Sequence, residues 1–422
     1  LLFLELEYIF LTIYSKNSIE RGNFTILSLL IRLSKGAILS GDIKRVVGIL
    51  PKDWFEDFIG LPGTRGLAFD SLPGVLVEES TVRYVAAHEV GHTFGFCEEY
   101  DSTAWNKQDG FFGGRCPNGD INDDDILDAN CEPQGCPGFT IGKLVPWTNS
   151  NESITLNNFM GNGDESKAWI SNESYIHLLN KFKTDLTIAE NTVLVSGFIN
   201  LSTNETKLDN VYTLTQRTLT TQDNLESGNH TIELRDNNNN IISNLSFKPM
   251  SLTNFFNGSL IDTNSSYFLF VMNSTSNLSK ITIKEKNITR VEKNSTPNTP
   301  IINITTQLQN QIFDKSFTVT WNSFDLDNDT IQYAILISSD NGATFSTLEI
   351  DYPNTSLTIN STNFINSNQY KIKILATDGI NTGNDTTETF IIIVFYFEKS
   401  SDNSNDEISI NQDLIDFGGV FL

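Results

Sequence analysis

The amino-acid sequence predicts a multidomain protein, with an α+β domain followed by two all-β sandwich domains. Three observations support this fold class. Segments with helical periodicity and short buried-strand runs occur in roughly the first 184 residues. From Asp185 onward, Thr, Asn, Ser, Val and Ile dominate in alternating patterns broken by turn clusters, which is typical of strands. A linker containing Pro297 and Pro300 then divides the β-rich part in two.

These changes in pattern predict domains at residues 1–184, 185–293 and 298–398. Residues 399–422 are expected to be a linker and the start of a further domain. A length of 422 residues fits about three domains. The chain begins with Leu1 rather than Met, which indicates that the first domain starts before this residue.

A helix is predicted from the N-cap Ser80 or Thr81 through the segment His88-Glu89-Val90-Gly91-His92. On a helix, His88 and His92 project from one face about one turn apart, which suits two corners of a tetrahedral zinc site. Glu89 projects to the neighbouring side, where a carboxylate can accept a proton from water activated by the metal. A metal-free structural helix is the alternative. The zinc interpretation is favoured because two of only four histidines fall in this motif.

The pattern His-Glu-x-x-His-x-x-Gly-x-x-Glu ends at Glu98 and is followed by Asn-Phe-Met-Gly around Met160. It resembles the signature of the metzincin zinc endopeptidases, which have a methionine turn beneath the metal. The resemblance covers the first 184 residues or so. It implies a metzincin-like α+β domain that binds Zn²⁺ through His88, His92 and Glu98, with Glu89 as the general base. The family normally has His or Asp where this chain has Glu98.

Other residues remain candidates for the third zinc ligand, because the glutamate at position 98 departs from the family pattern. Glu99 and Asp101 follow Glu98 closely enough to replace it. A gluzincin-like site would instead take its third glutamate from further along the chain, at Glu165 or Glu173.

All four cysteines cluster in the first domain, and an even count in a loop-rich segment predicts two disulfides of open connectivity. They are Cys97, Cys116, Cys131 and Cys136. A second zinc site made of four cysteines is the alternative, but paired Cys-x-x-Cys spacing is lacking. Recurrent Asn-x-Ser/Thr glycosylation acceptors also favour an extracellular or cell-surface location. They include Asn200, Asn204, Asn244, Asn287, Asn303 and Asn384.

The cysteine-rich segment contains a candidate calcium loop, in which oxygen ligands alternate at Asp120, Asn122, Asp124 and Asp128. It lacks the glycine and the closing glutamate of an EF-hand, so a solvated acidic loop is the favoured interpretation. Ca²⁺ therefore remains a second candidate cofactor beside Zn²⁺.

Strands are predicted at residues 46–50, 66–69 and 74–78, just before the motif helix. The metzincin resemblance implies that an edge strand here holds an extended peptide substrate. After Met160, the periodicity of residues 167–182 predicts an amphipathic helix.

The β-rich part predicts two series of strands. The first series lies at 192–199, 231–234, 241–247, 267–272 and 280–284. The second lies at 317–321, 331–335, 370–376 and 390–397. Through Trp321, Tyr333 and the Tyr-x-Ile-x-Ile run from Tyr370, the second series resembles a fibronectin type III domain. Asp325, Asp327 and Asp329 are either calcium ligands or a loop of solvated aspartates.

The net charge of −24 argues against nucleic-acid or anionic-membrane partners, which require basic patches. A membrane span is not expected, because the apolar stretches are short or interrupted by charge. The expected protein is a secreted or cell-surface zinc endopeptidase acting on protein or peptide substrates. Its sandwich domains would bind a surface or polymer ligand. The alternative is a non-catalytic surface adhesin with a structural or degenerate zinc domain, kept open by Glu98.

Overall fold

The structure is a computed structural model of the 422-residue chain. It describes residues 10–11, 26–41, 45–59, 65–68, 72–78, 83–93, 137–140, 143–146, 157–158, 168–169, 192–214, 228–249, 265–275 and 277–394. The chain divides into two compact units, Leu1–Thr296 and Pro297–Leu422. The predicted boundary between residues 184 and 185 therefore lies inside the first unit.

The first unit opens with a layered α/β part. Its elements are β1 (Phe10–Leu11), α1 (Ile26–Leu39), β2 (Val46–Leu50), α2 (Trp54–Ile59), β3 (Gly66–Leu67), β4 (Gly74–Glu78) and α3 (Arg83–His92). Two short strand pairs follow, β5 (Pro137–Thr140) with β6 (Lys143–Pro146) and β7 (Asn157–Asn158) with β8 (Ala168–Trp169).

The α/β sheet has the strand order β1-β2-β4-β3, and only β3 runs antiparallel to its neighbour. Successive side chains of a strand point to opposite faces. Val75 and Val77 therefore face α3, against which they pack. Gly74 faces α1, and a Cβ atom there would lie 2.6 Å from Ser34 Oγ. Glycine thus lets α1 approach the sheet closely, and Gly74 N donates a 3.1 Å hydrogen bond to Ser34 Oγ.

The first β-sandwich belongs to the same unit. Its strands are β9 (Thr192–Asn200), β10 (Thr206–Leu208), β11 (Tyr212–Leu214), β12 (His230–Asp236), β13 (Ile241–Phe247), β14 (Ser265–Asn273), β15 (Leu278–Glu285) and β16 (Ile288–Asn294). In one sheet β9 pairs with β10, β11 and β14, and the other has the order β13-β12-β15-β16. The Phe247 ring joins the two sheets, since its centre lies 5.3 Å from that of Phe268 and 5.0 Å from that of Phe270.

Helix α1 lies between the α/β sheet and this sandwich, because it contacts β4 and β2 as well as β14. Most of its residues are buried, and Ser28, Arg32 and Lys35 form a polar stripe at helical spacing. Lys35 is 2% exposed, and its Nζ lies 3.3 Å from Asp209 Oδ2 of the sandwich. Ser196 Oγ donates to the same carboxylate oxygen at 2.7 Å. Polar and apolar contacts therefore both join the two parts.

The second unit is also a β-sandwich. Its strands are β17 (Ile301–Ile304), β18 (Ile312–Phe313), β19 (Ser316–Phe324), β20 (Gln332–Ser338), β21 (Ser346–Tyr352), β22 (Ser356–Asn360), β23 (Ser367–Thr377), β24 (Thr382–Thr386) and β25 (Phe390–Ile392), with a 3₁₀ turn at Ser361–Asn363. One sheet has the order β17-β19-β22 and the other β18-β25-β23-β20-β21, with β24 beside β23.

The core of the second unit contains the aromatic residues noted in the sequence. Trp321 is 2% exposed, and its ring meets that of Tyr333 edge-on with centres 5.4 Å apart. Tyr370 Oη donates a 2.7 Å hydrogen bond to the Ile365 carbonyl, and burial raises the pKa of this phenol. Along β19, Phe317, Val319 and Trp321 alternate with exposed residues, so one face of that sheet forms the core.

The described strands confirm the predicted β-sandwich architecture for the two β-rich segments. The strands predicted at 46–50 and 74–78 and the helix carrying the histidine motif are confirmed as well. The amphipathic helix predicted at 167–182 is wrong at Ala168–Trp169, which form β8 in parallel pairing with β7. There the backbone pairs with a second segment, which a periodicity argument on one segment cannot detect. The other residues of that helix lie outside the described ones.

No helix among the described residues is both long enough and apolar enough to cross a membrane.

The carboxylate of Glu233 on β12 gives the first unit a pH-dependent contact. Burial raises the pKa of Glu233, but hydrogen bonds from Lys284 (2.6 Å) and Arg235 (2.6 Å) outweigh burial and leave the pKa below its usual value. A depressed folded-state pKa stabilises the fold above the unfolded pKa of about 4.3, and this contribution is lost as pH falls through the folded value.

We expect Glu233→Gln to destabilise the first unit by about 1–3 kcal/mol at pH 7. The difference from wild type should be smaller at pH 3, because this stabilisation is lost as pH falls through the depressed folded-state pKa of Glu233. Urea unfolding at both pH values measures this. Glu205→Gln is the control, because Glu205 pairs with Lys207 on the exposed surface. An equal difference at the two pH values would contradict the assignment.

Candidate metal centre

Helix α3 is held against the α/β sheet by its apolar side chains. Val85, Ala86 and Val90 pack on the sheet face that contains Val75 and Val77. Ala86 and Val90 are four residues apart and Val85 precedes Ala86, so the three side chains lie on one side of the helix. The sheet therefore fixes the rotation of α3 and with it the direction of His88 and His92.

The two histidine rings lie side by side at the C-terminal end of α3. The centres of the His88 and His92 rings are 4.9 Å apart, and the ring planes are at 86°. His92 is 5% exposed, whereas His88 is half-buried. Two imidazoles bound to one tetrahedral zinc have ring centres about 5 Å apart when each nitrogen lies about 2.0–2.1 Å from the metal. The observed pair fits this requirement, and imidazole is a ligand type that zinc prefers.

Glu89 lies beside the histidines and over the edge strand. It is 8% exposed. A Cβ atom at Gly66 of β3 would lie 2.3 Å from Glu89 Oε1 and 2.4 Å from Glu89 Cγ. Only glycine therefore leaves room for this carboxylate against β3. Gly66 was not predicted as part of the site, although a glycine within a strand often marks a close approach of another group.

Strand β3 is the last strand of the sheet on the side of Glu89. Its backbone pairs with β4, where Gly66 lies opposite Val77 and Leu67 opposite Leu76. No other described strand pairs with β3. Unpaired N–H and C=O groups at a sheet edge can accept another extended chain.

Arg45, just before β2, anchors the C-terminal end of α3. Its Nε donates to Thr93 Oγ1 at 2.5 Å, and its Nη2 donates to the Thr93 carbonyl at 2.9 Å. Thr93 Oγ1 in turn donates to the Val90 carbonyl at 2.7 Å. A guanidinium here also complements the partial negative charge of the helix C-terminus. The contact spans 48 residues, so no local sequence signal could have identified Arg45.

Three residues predicted for the zinc domain, His88, Glu89 and His92, are brought together by α3. The other residues predicted for that domain lie outside the described part of the chain: Glu98 and its alternatives Glu99, Asp101, Glu165 and Glu173, the turn residues Gly95 and Met160, the cysteines Cys97, Cys116, Cys131 and Cys136, and the acidic loop with Asp120, Asn122, Asp124 and Asp128.

No protein-family model matches the sequence, and no curated protein is significantly similar to it. Among solved structures, one match is a structure of tandem Ig repeats of Dlar, with a TM-score of 0.20 and 11% sequence identity. The match covers 39% of this chain and 83% of that chain. A likeness at this TM-score carries no argument about function.

We expect Arg45→Met to loosen the end of α3. Losing hydrogen bonds from a charged donor costs about 1.5–3 kcal/mol, which corresponds to roughly tenfold or more faster exchange of the α3 amides. Hydrogen–deuterium exchange of a peptide covering residues 83–93 measures this. Arg65→Met is the matched control, because the Arg65 side chain is exposed. Equal exchange in the two variants would show that Arg45 does not anchor the helix.

Proposed function

We propose that the chain is a zinc-dependent endopeptidase with a metzincin-like catalytic domain. The observation that carries the proposal is the group on α3, with two imidazoles whose centres are 4.9 Å apart and a buried glutamate beside them. A structural zinc site has no need of a glutamate between its ligands, whereas peptide hydrolysis needs a general base. Glu98 is proposed as the third ligand, and Met160 as the methionine beneath the metal.

Zinc held by His88, His92 and Glu98 would supply Lewis acidity, which activates a water molecule and polarises the scissile carbonyl. Glu89 would accept the proton of that water through a carboxylate oxygen and pass it to the amine that leaves. Its position over Gly66 limits the orientations of the carboxylate. Such positioning matters because proton transfer requires hydrogen-bond contact with the reacting group.

The proposed substrate is an extended stretch of protein or peptide. It would pair with the outer edge of β3, next to Glu89, and so add a strand to the sheet. Backbone pairing would bring the scissile carbonyl to the end of α3 with little dependence on side chains.

An extracellular or cell-surface location is proposed from the surface chemistry. Among the candidate glycosylation acceptors, Asn204, Asn244, Asn287, Asn303 and Asn384 are all exposed on described strands or turns. Exposure is required for modification by a glycosyltransferase. The same location would allow two disulfides among Cys97, Cys116, Cys131 and Cys136.

The two sandwiches are proposed to bind a cell-surface or polymer ligand, the second with a fibronectin type III or Ig-like fold. A non-catalytic adhesin is the second candidate function. The observation in its favour is the extent of the sandwiches, which make up most of the described chain. In that case zinc would be bound, yet no protein substrate would be cleaved.

We expect Glu89→Gln to keep zinc and to lose hydrolysis by about 10²–10⁴-fold, because the amide cannot accept a proton. Glu98→Ala should instead lose zinc more readily than the wild type during dialysis against a chelator, and hydrolysis should be lost with the zinc. The measurements are zinc content by mass spectrometry and the cleavage rate of a denatured protein. Glu56→Gln on α2 is the control, since Glu56 is exposed.

A loss of less than about tenfold in Glu89→Gln would rule out its role as the general base. If Glu99→Ala or Asp101→Ala loses zinc while Glu98→Ala keeps it, the assignment of Glu98 as the third ligand is wrong, although the peptidase proposal survives. Zinc binding without cleavage of any denatured protein by the wild type would favour the adhesin.

We expect Gly66→Ala to reduce the rate of hydrolysis by about tenfold or more with zinc retained, because the new methyl group displaces the Glu89 carboxylate. The double variant Gly66→Ala/Glu89→Gln provides the control. If Gly66 acts through Glu89, adding Gly66→Ala to Glu89→Gln should cost nothing further. Losses that multiply in the double variant would mean that Gly66 acts on another group.

A further inference from the structure

Three aspartates meet at one end of the second sandwich. Asp325 and Asp329 lie between β19 and β20, and Asp378 follows β23. One carboxylate oxygen from each of the three lies within 4.8 Å of the other two. The pairing of Gln332 on β20 with Thr377 on β23 brings these segments together. The sequence had suggested calcium for Asp325 and Asp329 but not for Asp378, which is 49 residues further along.

The carboxylate of Asp325 is buried without full compensation. Asp325 is 6% exposed. Its Oδ1 accepts hydrogen bonds from the backbone N–H of Asp327 at 2.8 Å and of Asp329 at 3.3 Å. Its Oδ2 is buried and accepts no hydrogen bond from any described residue. The Oδ2 atom of Asp329 is likewise buried and accepts no hydrogen bond from any described residue. Burying a carboxylate oxygen without a partner is costly, so both atoms require a cation or another donor.

No described Lys or Arg provides that charge to Asp325 or Asp329, since neither forms an ion pair in the described part of the chain. The carboxylates instead face one another, which is unfavourable for like charges at this distance. A bound cation would turn this repulsion into attraction.

The remaining aspartate of the loop is not part of this group. Asp327 accepts from the Asn298 backbone N–H at 2.8 Å and from Asn298 Nδ2 at 2.8 Å. The carboxylate oxygens that lie within 4.8 Å of one another do not include one from Asp327, whose carboxylate pairs with Asn298 near the start of the unit. Asp378 replaces Asp327 in the cluster.

Asp378 is held in place by its own turn. Its Oδ1 accepts from the backbone N–H of Ile380 at 2.9 Å and of Asn381 at 2.8 Å. Asn381 Nδ2 donates to Asp378 Oδ2 at 2.7 Å and to the Asn298 carbonyl at 3.2 Å. Because Oδ1 already accepts two of these bonds, Oδ2 is the atom through which Asp378 would bind a metal. Hydrogen bonds within the protein therefore hold the carboxylates of both loops.

We infer that Asp325, Asp329 and Asp378 bind one calcium ion. Calcium takes six to eight oxygen ligands at about 2.3–2.6 Å in flexible geometry, and three carboxylates with water and backbone carbonyls satisfy this requirement. The absence of His and Cys from the group disfavours zinc, and magnesium demands a stricter octahedral arrangement. The ion ties the β19–β20 and β23–β24 connections together beside Asn298, where the chain enters the second unit. This site is separate from the histidine pair on α3 and does not depend on the proposed peptidase activity.

The test is calcium binding by the full chain, measured by titration calorimetry after removal of divalent ions. We expect Asp329→Asn and Asp378→Asn each to lower the number of bound calcium ions by one, or to weaken that site by about tenfold or more. Asp314→Asn is the matched control, because Asp314 is exposed in the same unit and outside the cluster. It should leave both the number of bound ions and their affinity unchanged.

A second measurement needs no variant. In the wild-type chain, calcium should slow amide hydrogen exchange in residues 325–331 and 378–381, while equimolar magnesium should not. Calcium binding that is identical in the wild type and in both cluster variants overturns the proposal. So does a loss in Asp314→Asn equal to that in Asp329→Asn, since that result would indicate diffuse attraction to an acidic surface. Unchanged exchange in both loops on calcium addition contradicts it as well.

Discussion

The packing of α3 against β3 and β4 is the constraint on which the candidate metal centre depends. Val85 and Val90 fix the rotation of the helix on the sheet. Given that rotation, spacing of four residues places His88 and His92 together and leaves Glu89 over Gly66. A helix turned by a third of a revolution would bury the imidazoles against the sheet. The chemistry proposed for the site therefore depends on ordinary apolar packing.

Helix α1 is also held by packing, and it is buried on both sides. It covers the α/β sheet through Gly74 and the first sandwich through β14. Strand β14 is buried from Phe268 to Met272 without alternation, which is expected only when both faces of a sheet are covered. The run Tyr-Phe-Leu-Phe-Val-Met in the sequence already contained this signal. The α/β part and the first sandwich are thus two layers of one unit.

The helices and strands that depend on local sequence pattern were mostly predicted correctly. The helix with the histidines, strands β2 and β4 and most sandwich strands follow from spacing and alternation within about ten residues. The sequence did not predict the contacts of Arg45 with Thr93, of Gly66 with Glu89 or of Asp378 with Asp325. Each of these contacts joins segments that are distant along the chain, and a single sequence contains no signal for such pairs. Helix α1 was not predicted, although Ser28, Arg32 and Lys35 recur at helical spacing within its otherwise apolar sequence.

Zinc K-edge X-ray absorption of the zinc-loaded full chain tests whether zinc binds at the histidines of α3. For zinc bound there we expect a first shell of nitrogen and oxygen at about 2.0–2.1 Å, with the outer-shell scattering of two imidazoles and no sulfur. The imidazole scattering should be lost in the double variant His88→Ala/His92→Ala. A first shell of sulfur at about 2.3 Å would place the metal on the cysteines and contradict binding at the histidines.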